Sequence, residues 1–230
     1  MKAMILAAGL GHRMRPLTDH LPKPLLKIND KTLLDYHLEK IQDAGIEDVI
    51  INLSYLGEKI RQHLHKHDYP TLNILFSQEP EPLETGGALL QAAELLGDDD
   101  FLLVNGDVWS DMNYRELIKR KPELNQWGHL VLVNNPDFHP QGDFILDNHT
   151  YLLHERHSQQ GYTFSGISIL SPQLIGNYSG KRVKFPLVEA FRETIQQKKL
   201  TGELYGGHWS DVGTPSRLHE LNNFLHTSGQ

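Results

Sequence analysis

The chain has 230 residues and a mass of 26.3 kDa, with 39% hydrophobic and 22% charged side chains. That balance excludes a disordered tail and a membrane bundle, and the length suffices for a large α/β domain with a buried core. The absence of cysteine excludes a disulfide scaffold, a thiolate metal site and a thiol nucleophile, and a net charge of −7 argues against nucleic acid or an anionic membrane as partner.

The charge is unevenly spread. Residues 1–27 hold five basic side chains, Lys2, Arg13, Arg15, Lys23 and Lys27, against Asp19 alone. A cationic focus on an acidic body suits a small polyanion. The longest early apolar run, Ala3 to Ala8, is too short for a signal segment or a membrane span, so a cytoplasmic protein is expected.

Taken in chain order, Met4 to Ala8 predicts a buried strand. Thr32 to Ala44 predicts a helix with Leu34, Leu38 and Ile41 on one face and Gly45 just past its end. Val49 to Leu53 reads as a strand, Leu56 to His65 as a helix, Asn73 to Phe76 as a strand and Gly87 to Leu96 as a helix. Phe101 to Val104 is a central strand that runs into Asn105-Gly106-Asp107. This alternation calls for a Rossmann-like, mostly parallel sheet with helices on both faces, its ligands bound outside the carboxyl ends of the strands. Gly9 and Asp107 both follow such ends.

Beyond residue 128 the pattern turns richer in strands. His129 to Val133, Asp143 to Leu146, Tyr151 to Glu155 and Thr163 to Leu170 read as strands. A helix near Leu187 to Gln197 and a last strand at Glu203 to Gly206 follow. Thr214 and Pro215 then open a terminal helix as N-cap and first helical residue, with Leu218, Leu221 and Leu225 inward. The expectation is a single domain over 1–230, whose second part continues the sheet and adds a small β-rich region.

The most informative stretch runs from Leu6 to Thr18, with Gly9 and Gly11 directly after a strand. Glycines there let the backbone turn tightly and offer N–H groups to a phosphate. A dinucleotide fingerprint would need glycine at Met14, and the P-loop ending Gly-Lys-Ser/Thr is absent. Arg13 and Arg15 follow instead, and Leu21-Pro22-Lys23-Pro24-Leu25 adds a lysine stiffened by two prolines. An arginine grips two phosphate oxygens at once, and a lysine acts as a point charge. A plain surface turn is the competing reading.

These residues resemble the signature of the sugar-1-phosphate nucleotidyltransferases. Further landmarks agree in order: Glu84-Thr85-Gly86-Gly87-Ala88, Val104-Asn105-Gly106-Asp107, Phe164-Ser165-Gly166-Ile167, and Trp209 to Pro215. The resemblance covers residues 3 to 215. Its wording is nearest to short members that charge N-acetylmuramate α-1-phosphate with uridylate in cell-wall recycling. Mannose-1-phosphate with GTP, glucose-1-phosphate with UTP or dTTP, and a non-catalytic nucleotide-sugar sensor stand as alternatives.

The resemblance implies a nucleotide-binding half at 1–127 and a sugar-binding half at 128–230. It implies UTP and a sugar-1-phosphate as partners, Mg2+ as cofactor, and a monomer or weak homo-oligomer. Arg13 and Lys23 are the implied catalytic residues. Ala8, Gly9, Gly11 and His12, with Arg13 and Lys23, cradle the nucleotide phosphates, and Thr85 and Gly86 meet the base. Asn105, Asp143 and Gly166 meet the sugar. Asp107 and Asp211 hold the metal, in keeping with the preference of Mg2+ for carboxylate oxygen. Turn formation for Asp107 and helix capping for Asp211 or Thr85 are the bland alternatives.

Other readings stay open at this point. Gln78 and Glu79 both qualify as a polar partner for the base. Phe164 and Trp209 suit either an apolar wall or the core. The pair Glu155-Arg156 stands where larger relatives carry Glu-Lys, and arginine is no equivalent of lysine at a phosphate. No β-helical acetyltransferase region is expected after the catalytic one. Among fourteen histidines, His63, His65 and His67 alternate, and His154 and His157 lie three apart. His63 and His67 share helical spacing, but no clear Glu partner or matching His cluster follows, so solvated surface histidines are the reading.

Overall fold

The computed structural model describes residues 1–120, 125–180 and 182–228. The strands are β1 (Lys2–Leu6), β2 (Lys27–Ile28), β3 (Lys31–Thr32), β4 (Asp48–Leu53), β5 (Asn73–Gln78), β6 (Phe101–Asn105) and β7 (Val108–Ser110). They continue with β8 (Gly128–Val133), β9 (Phe144–Leu146), β10 (Leu153–Glu155), β11 (Thr163–Leu170), β12 (Leu200–Leu204) and β13 (Trp209–Asp211). The helices are α1 (Leu33–Asp43), α2 (Gly57–Lys66), α3 (Glu84–Gln91), α4 (Ala93–Leu96), α5 (Tyr114–Leu117), α6 (Pro172–Gly176), α7 (Leu187–Gln196) and α8 (Pro215–Ser228).

Seven strands form one sheet in the order β12-β8-β11-β6-β1-β4-β5. Only β11 runs against its neighbours, β6 and β8; the other pairings are parallel. The mostly parallel, helix-flanked sheet is as the sequence rhythm requires. β1, β4 and β6 are apolar on both faces because helices cover both sides. One buried layer joins Ile5, Ile51 and Val104 to α1 and α2; the other joins Met4, Ile50 and Leu103 to α3 and α7.

Several boundaries differ from expectation for local reasons. The helix expected from Gly87 starts at Glu84 and breaks at Ala92 into α3 and α4. Its glycines are set by packing: a Cβ on Gly86 would lie 2.3 Å from the Phe185 ring, and one on Gly87 2.3 Å from Val183 O. The last large-sheet strand is Leu200–Leu204, in register with Gly128–Leu132, rather than Glu203 to Gly206. β9 and β10 pair as a ribbon beside the main sheet, and Phe144 of β9 also bridges Tyr162 just ahead of β11.

A third buried cluster holds Met14, Leu26, Ile28, Leu33, Trp109, Val212, Leu221 and Leu225. It draws five elements together: the glycine turn, β2, the start of α1, the β7–β13 ribbon and α8. Arg13, its neighbour Met14, Asp211 and its neighbour Val212 are thereby tied to one anchor. Burying such side chains stabilises by roughly 1.5–3 kcal/mol each. The same burial sets the position of the polar residues beside them.

Candidate active site

The glycine turn begins where β1 ends, at the centre of the sheet. β4 and β5 extend the sheet to one side of β1 and β6 to the other. This is the switch point at which open α/β sheets form a crevice. The Ala7 N–H donates to Asn52 Oδ1 at 2.6 Å, which holds the turn to the end of β4. Gly11 sits at φ 66°, opens a 3-10 turn over His12–Met14, and accepts the Thr18 hydroxyl at 2.7 Å. A side chain there would be strained and crowded by Thr18.

The turn walls a cavity of about 630 Å³ that also includes Lys23, Glu79, Glu84, Asn105 and Asp107. Such a volume lies within the range of ligand sites. Ala8, Gly9, Gly11, His12 and Arg13 all line it. Lys23 stands in a short 3-10 turn, Lys23–Leu25, between its two prolines. Its Nζ donates to Asp107 Oδ2 at 2.7 Å, with the lysine side chain only 12% exposed.

Asp107 and Asp211 are neighbours in space. β7 and β13 pair so that Asp211 lies opposite Val108, and the Val212 N–H donates to Asp107 O at 2.9 Å. Arg217, one turn into α8, donates to Asp211 Oδ2 at 3.0 Å. The other carboxylate oxygen, Oδ1, is buried with no hydrogen-bond partner. Burial, and then the charge of Asp107, push the Asp211 pKa above the ordinary carboxylate value; Arg217, Lys23 and Arg13 pull it down. Two adjoining carboxylates, one with an unsatisfied buried oxygen, fit a hard divalent cation.

The remaining candidates divide. Thr85 lines the cavity, but its Oγ1 accepts the Leu187 N–H at 2.8 Å, so its side chain fastens α7; the residue preceding the helix is Leu83, not Thr85. Gly86 lies buried, and its amide donates to Phe185 O at 2.9 Å, so that amide is not free for a base. Asn105 lines the cavity and abuts Gly166, where φ is 80° and a Cβ would come within 2.6 Å of Asn105 Nδ2. Asp143 accepts the Phe164 N–H at 2.8 Å and pairs with His139 at 3.0 Å. It therefore holds the start of β11, two residues before Gly166.

Glu79 lines the cavity, whereas Gln78 faces Arg61 outside it. Phe164 packs edge-on against Phe191 in the core, while Trp209 lines a second cavity, of about 390 Å³, together with Asn134, Phe138, Asp211 and Arg217. Glu155 pairs with Gln196 and Arg192. Neither Glu155 nor Arg156 lines a cavity described here.

Sequence reasoning missed Asn52 and Arg217, and offered Glu79 only as an alternative to Gln78. Asn52 bridges Ala7 and Glu79, with its Nδ2 at 2.6 Å from Glu79 Oε1. Glu79 in turn accepts the Leu83 N–H at 3.0 Å and so braces α3. A lone asparagine in the apolar run of β4 was the available signal for Asn52. Arg217 stands one turn beyond Thr214, where capping explained the motif without it. The histidine reading also needs correction: His37 is buried, with Nδ1 3.0 Å from the Tyr114 hydroxyl, and His63 is bonded to Asp35.

The sequence profile of the family described as Nucleotidyl transferase matches residues 2–228. The chain belongs to the nucleotidyl transferase family. It is an enzyme of the sugar-1-phosphate nucleotidyltransferase type, as the sequence landmarks implied. The N-acetylmuramate alpha-1-phosphate uridylyltransferase of Neisseria meningitidis serogroup B is 41% identical to it over 224 residues, covering 96% of each chain. The mannose-1-phosphate guanyltransferase of Candida albicans is 31% identical, over 94% of this chain and 62% of that protein. Among solved structures, HddC from Yersinia pseudotuberculosis complexed with GMP-PN superposes with a TM-score of 0.77 at 27% identity, covering 97% of this chain and 99% of that one. The UDP-glucose pyrophosphorylase of Acinetobacter baumannii shares the fold, with a TM-score of 0.83 at 17% identity, covering 99% of this chain and 93% of that one. No helix among the described residues is long and apolar enough to cross a membrane.

Proposed function

We propose that this enzyme transfers uridylate from UTP to N-acetylmuramate α-1-phosphate in the cytoplasm, giving UDP-N-acetylmuramate and pyrophosphate for peptidoglycan recycling. The observation that carries nucleotidyl transfer is that Arg13, Lys23 and Asp107 line one cavity while the β7–β13 pairing sets Asp211 beside Asp107, within reach of the charges of Lys23 and Arg13. The choice of nucleotide and sugar rests on the relative that matches over nearly its full length.

An oxygen of the sugar phosphate attacks the α-phosphorus of UTP. The bond from that phosphorus to the bridging oxygen of the β-phosphate breaks, and its electron pair leaves with pyrophosphate. No covalent enzyme intermediate is needed, so the protein's task is positioning and charge stabilisation. The glycine turn offers backbone donors to the phosphates, with Ala8, Gly9, Gly11 and His12 along its edge. Arg13 steadies the departing pyrophosphate. Lys23 lies against the reacting phosphates, held there by its bond to Asp107. Asp107 and Asp211 hold Mg2+, which when bound neutralises the triphosphate and fixes its orientation. Thr85, at the start of α3, borders the base, and Asn105 and Gly166 receive the sugar on the side of β11, whose start Asp143 secures.

A pyrophosphate-release assay with UTP, GTP, dTTP, CTP and ATP tests this. The acceptors are the 1-phosphates of N-acetylmuramate, N-acetylglucosamine, mannose and glucose. The fastest turnover is expected with UTP and N-acetylmuramate α-1-phosphate. Preference for GTP and mannose-1-phosphate would replace the substrate assignment. Tight binding of a UDP-sugar with no turnover in Mg2+ would favour a sensor.

A further inference from the structure

Away from the nucleotide cavity, a second polar cluster joins two stretches of chain. Asp35 lies in the first turn of α1, His63 in α2, and His67 directly after α2. His63 and His67 are four residues apart, so their rings leave the helix on one face; the ring centroids are 4.1 Å apart. Asp35 meets them from α1, with Oδ1 at 2.6 Å from His63 Nε2. The potential ligand atoms of the three residues all lie within 4.8 Å of one another. None of the three lines the nucleotide cavity.

We propose that Asp35, His63 and His67 form a binding site for a zinc-class divalent cation, distinct from the carboxylate pair of the nucleotide cleft. Two imidazoles four residues apart at the end of a helix, with a carboxylate opposite, are a ligand set that suits Zn2+, Co2+ or Ni2+ and not Mg2+. The bonds around the cluster are those that prepare ligands. His67 Nδ1 donates to the His63 carbonyl at 2.8 Å, which leaves its Nε2 lone pair free to coordinate. Asp35 is held from behind: Tyr69 Oη donates to Oδ1 at 2.6 Å and the Thr32 N–H to Oδ2 at 3.2 Å. His63 and Asp35 are mostly buried and His67 is exposed, so the cluster is rigid on its inner side and open to entry from solvent.

The ion would take the place of the proton now shared by His63 and Asp35. Bonds of about 2.0 Å in tetrahedral array hold neighbouring ligands roughly 3.3 Å apart, so the 2.6 Å contact must widen by a fraction of an ångström. His67 must also swing its Nε2 inward. Both are side-chain movements. The loaded site would tie α1 to α2.

The test is Co2+ titration of the full-length chain by visible absorption, because the d–d bands of Co2+ report its ligands. One Co2+ per chain is expected, displaced by Zn2+ and not by excess Mg2+. His67→Ala, at an exposed position, should weaken binding at least ~10-fold, and Tyr69→Phe, which frees the carboxylate, by ~10-fold or more. The double variant Asp107→Asn/Asp211→Asn should keep the band. Three results would overturn the proposal: no ligand-field band in the unaltered chain, unchanged affinity in His67→Ala, or loss of the band in the double variant, which would place the ion in the cleft.

Discussion

The nucleotide side and the acceptor side of the rim are built in opposite ways. On the proposed nucleotide side one continuous turn, Ala8 to Arg13, supplies an unbroken stretch of the wall, and Lys23 follows from the next turn. On the proposed acceptor side the contributors are scattered along the chain: Asn105 from β6, Gly166 from β11, Asp143 ahead of β9 and Trp209 from β13. The phosphate cradle can thus form from local geometry once β1 is in place. The acceptor side exists only when the long-range pairings of β11 and β13 are made. Triphosphate chemistry is common to a whole family while the sugar varies, and a modular acceptor side gives that variation room.

The comparison is sharpest at Lys23. Lys23→Ala should lower kcat and kcat/KM together by ~100-fold or more, the scale of losing a preorganised electrostatic donor. A variant within a few-fold of the unaltered enzyme would deny the local turn its catalytic share. On the other side, Gly166→Ala places a Cβ against Asn105 at a left-handed φ. Strain of about 1–3 kcal/mol is expected there. The KM for the sugar phosphate should rise ~10-fold or more while the KM for UTP changes little. Equal rises in both would erase the distinction between the two sides.

Between them lies the turn that carries Asp107, supported from below by His37. Burial first, and then the charge of Lys40, depress the His37 pKa from 6.5 to about 3. In that interval the unfolded chain binds a proton that the folded chain does not. His37 therefore favours the folded state fully above pH 6.5 and progressively less as pH falls toward 3. The melting temperature should drop over that range, and His37→Gln should flatten the part of the drop due to this residue. An unchanged profile in the variant would show that His37 is not what acid attacks. The smallest effect is expected at Asp143. Asp143→Asn keeps an oxygen to accept the Phe164 N–H, so the sugar-phosphate KM should rise only a few-fold and the UTP KM not at all.

The same contrast explains what was legible in the sequence. β1, α1, β4 and β6 carry their periods openly, and the glycine turn is a contiguous motif. Their positions were accessible from residue order alone. The end of the sheet at β12 was less so, because β12 contains Thr201, Gly202 and Glu203 and is a strand only through its pairing with β8. The β7–β13 ribbon is three residues on each side, too short for any periodicity, yet it is what brings Asp211 to Asp107. Asn52 and Arg217 were silent, and Glu79 could not be told from Gln78, for a related reason. Each is a common polar residue whose role comes from partners remote in sequence, as does the Asp35 that meets His63.

The central claim is that the glycine turn and the two remote carboxylates serve one metal-bound triphosphate. The most direct test is calorimetric titration of a non-hydrolysable UTP analogue into the unaltered enzyme and Asp211→Asn, with and without Mg2+. The account predicts that Mg2+ strengthens binding to the unaltered enzyme and that Asp211→Asn loses most of that gain. It also predicts that without Mg2+ the two proteins bind alike and that the variant is at least as stable, since an ionised Asp211 is disfavoured by its burial and by Asp107. An Asp211→Asn protein that keeps the full Mg2+-dependent gain would contradict it.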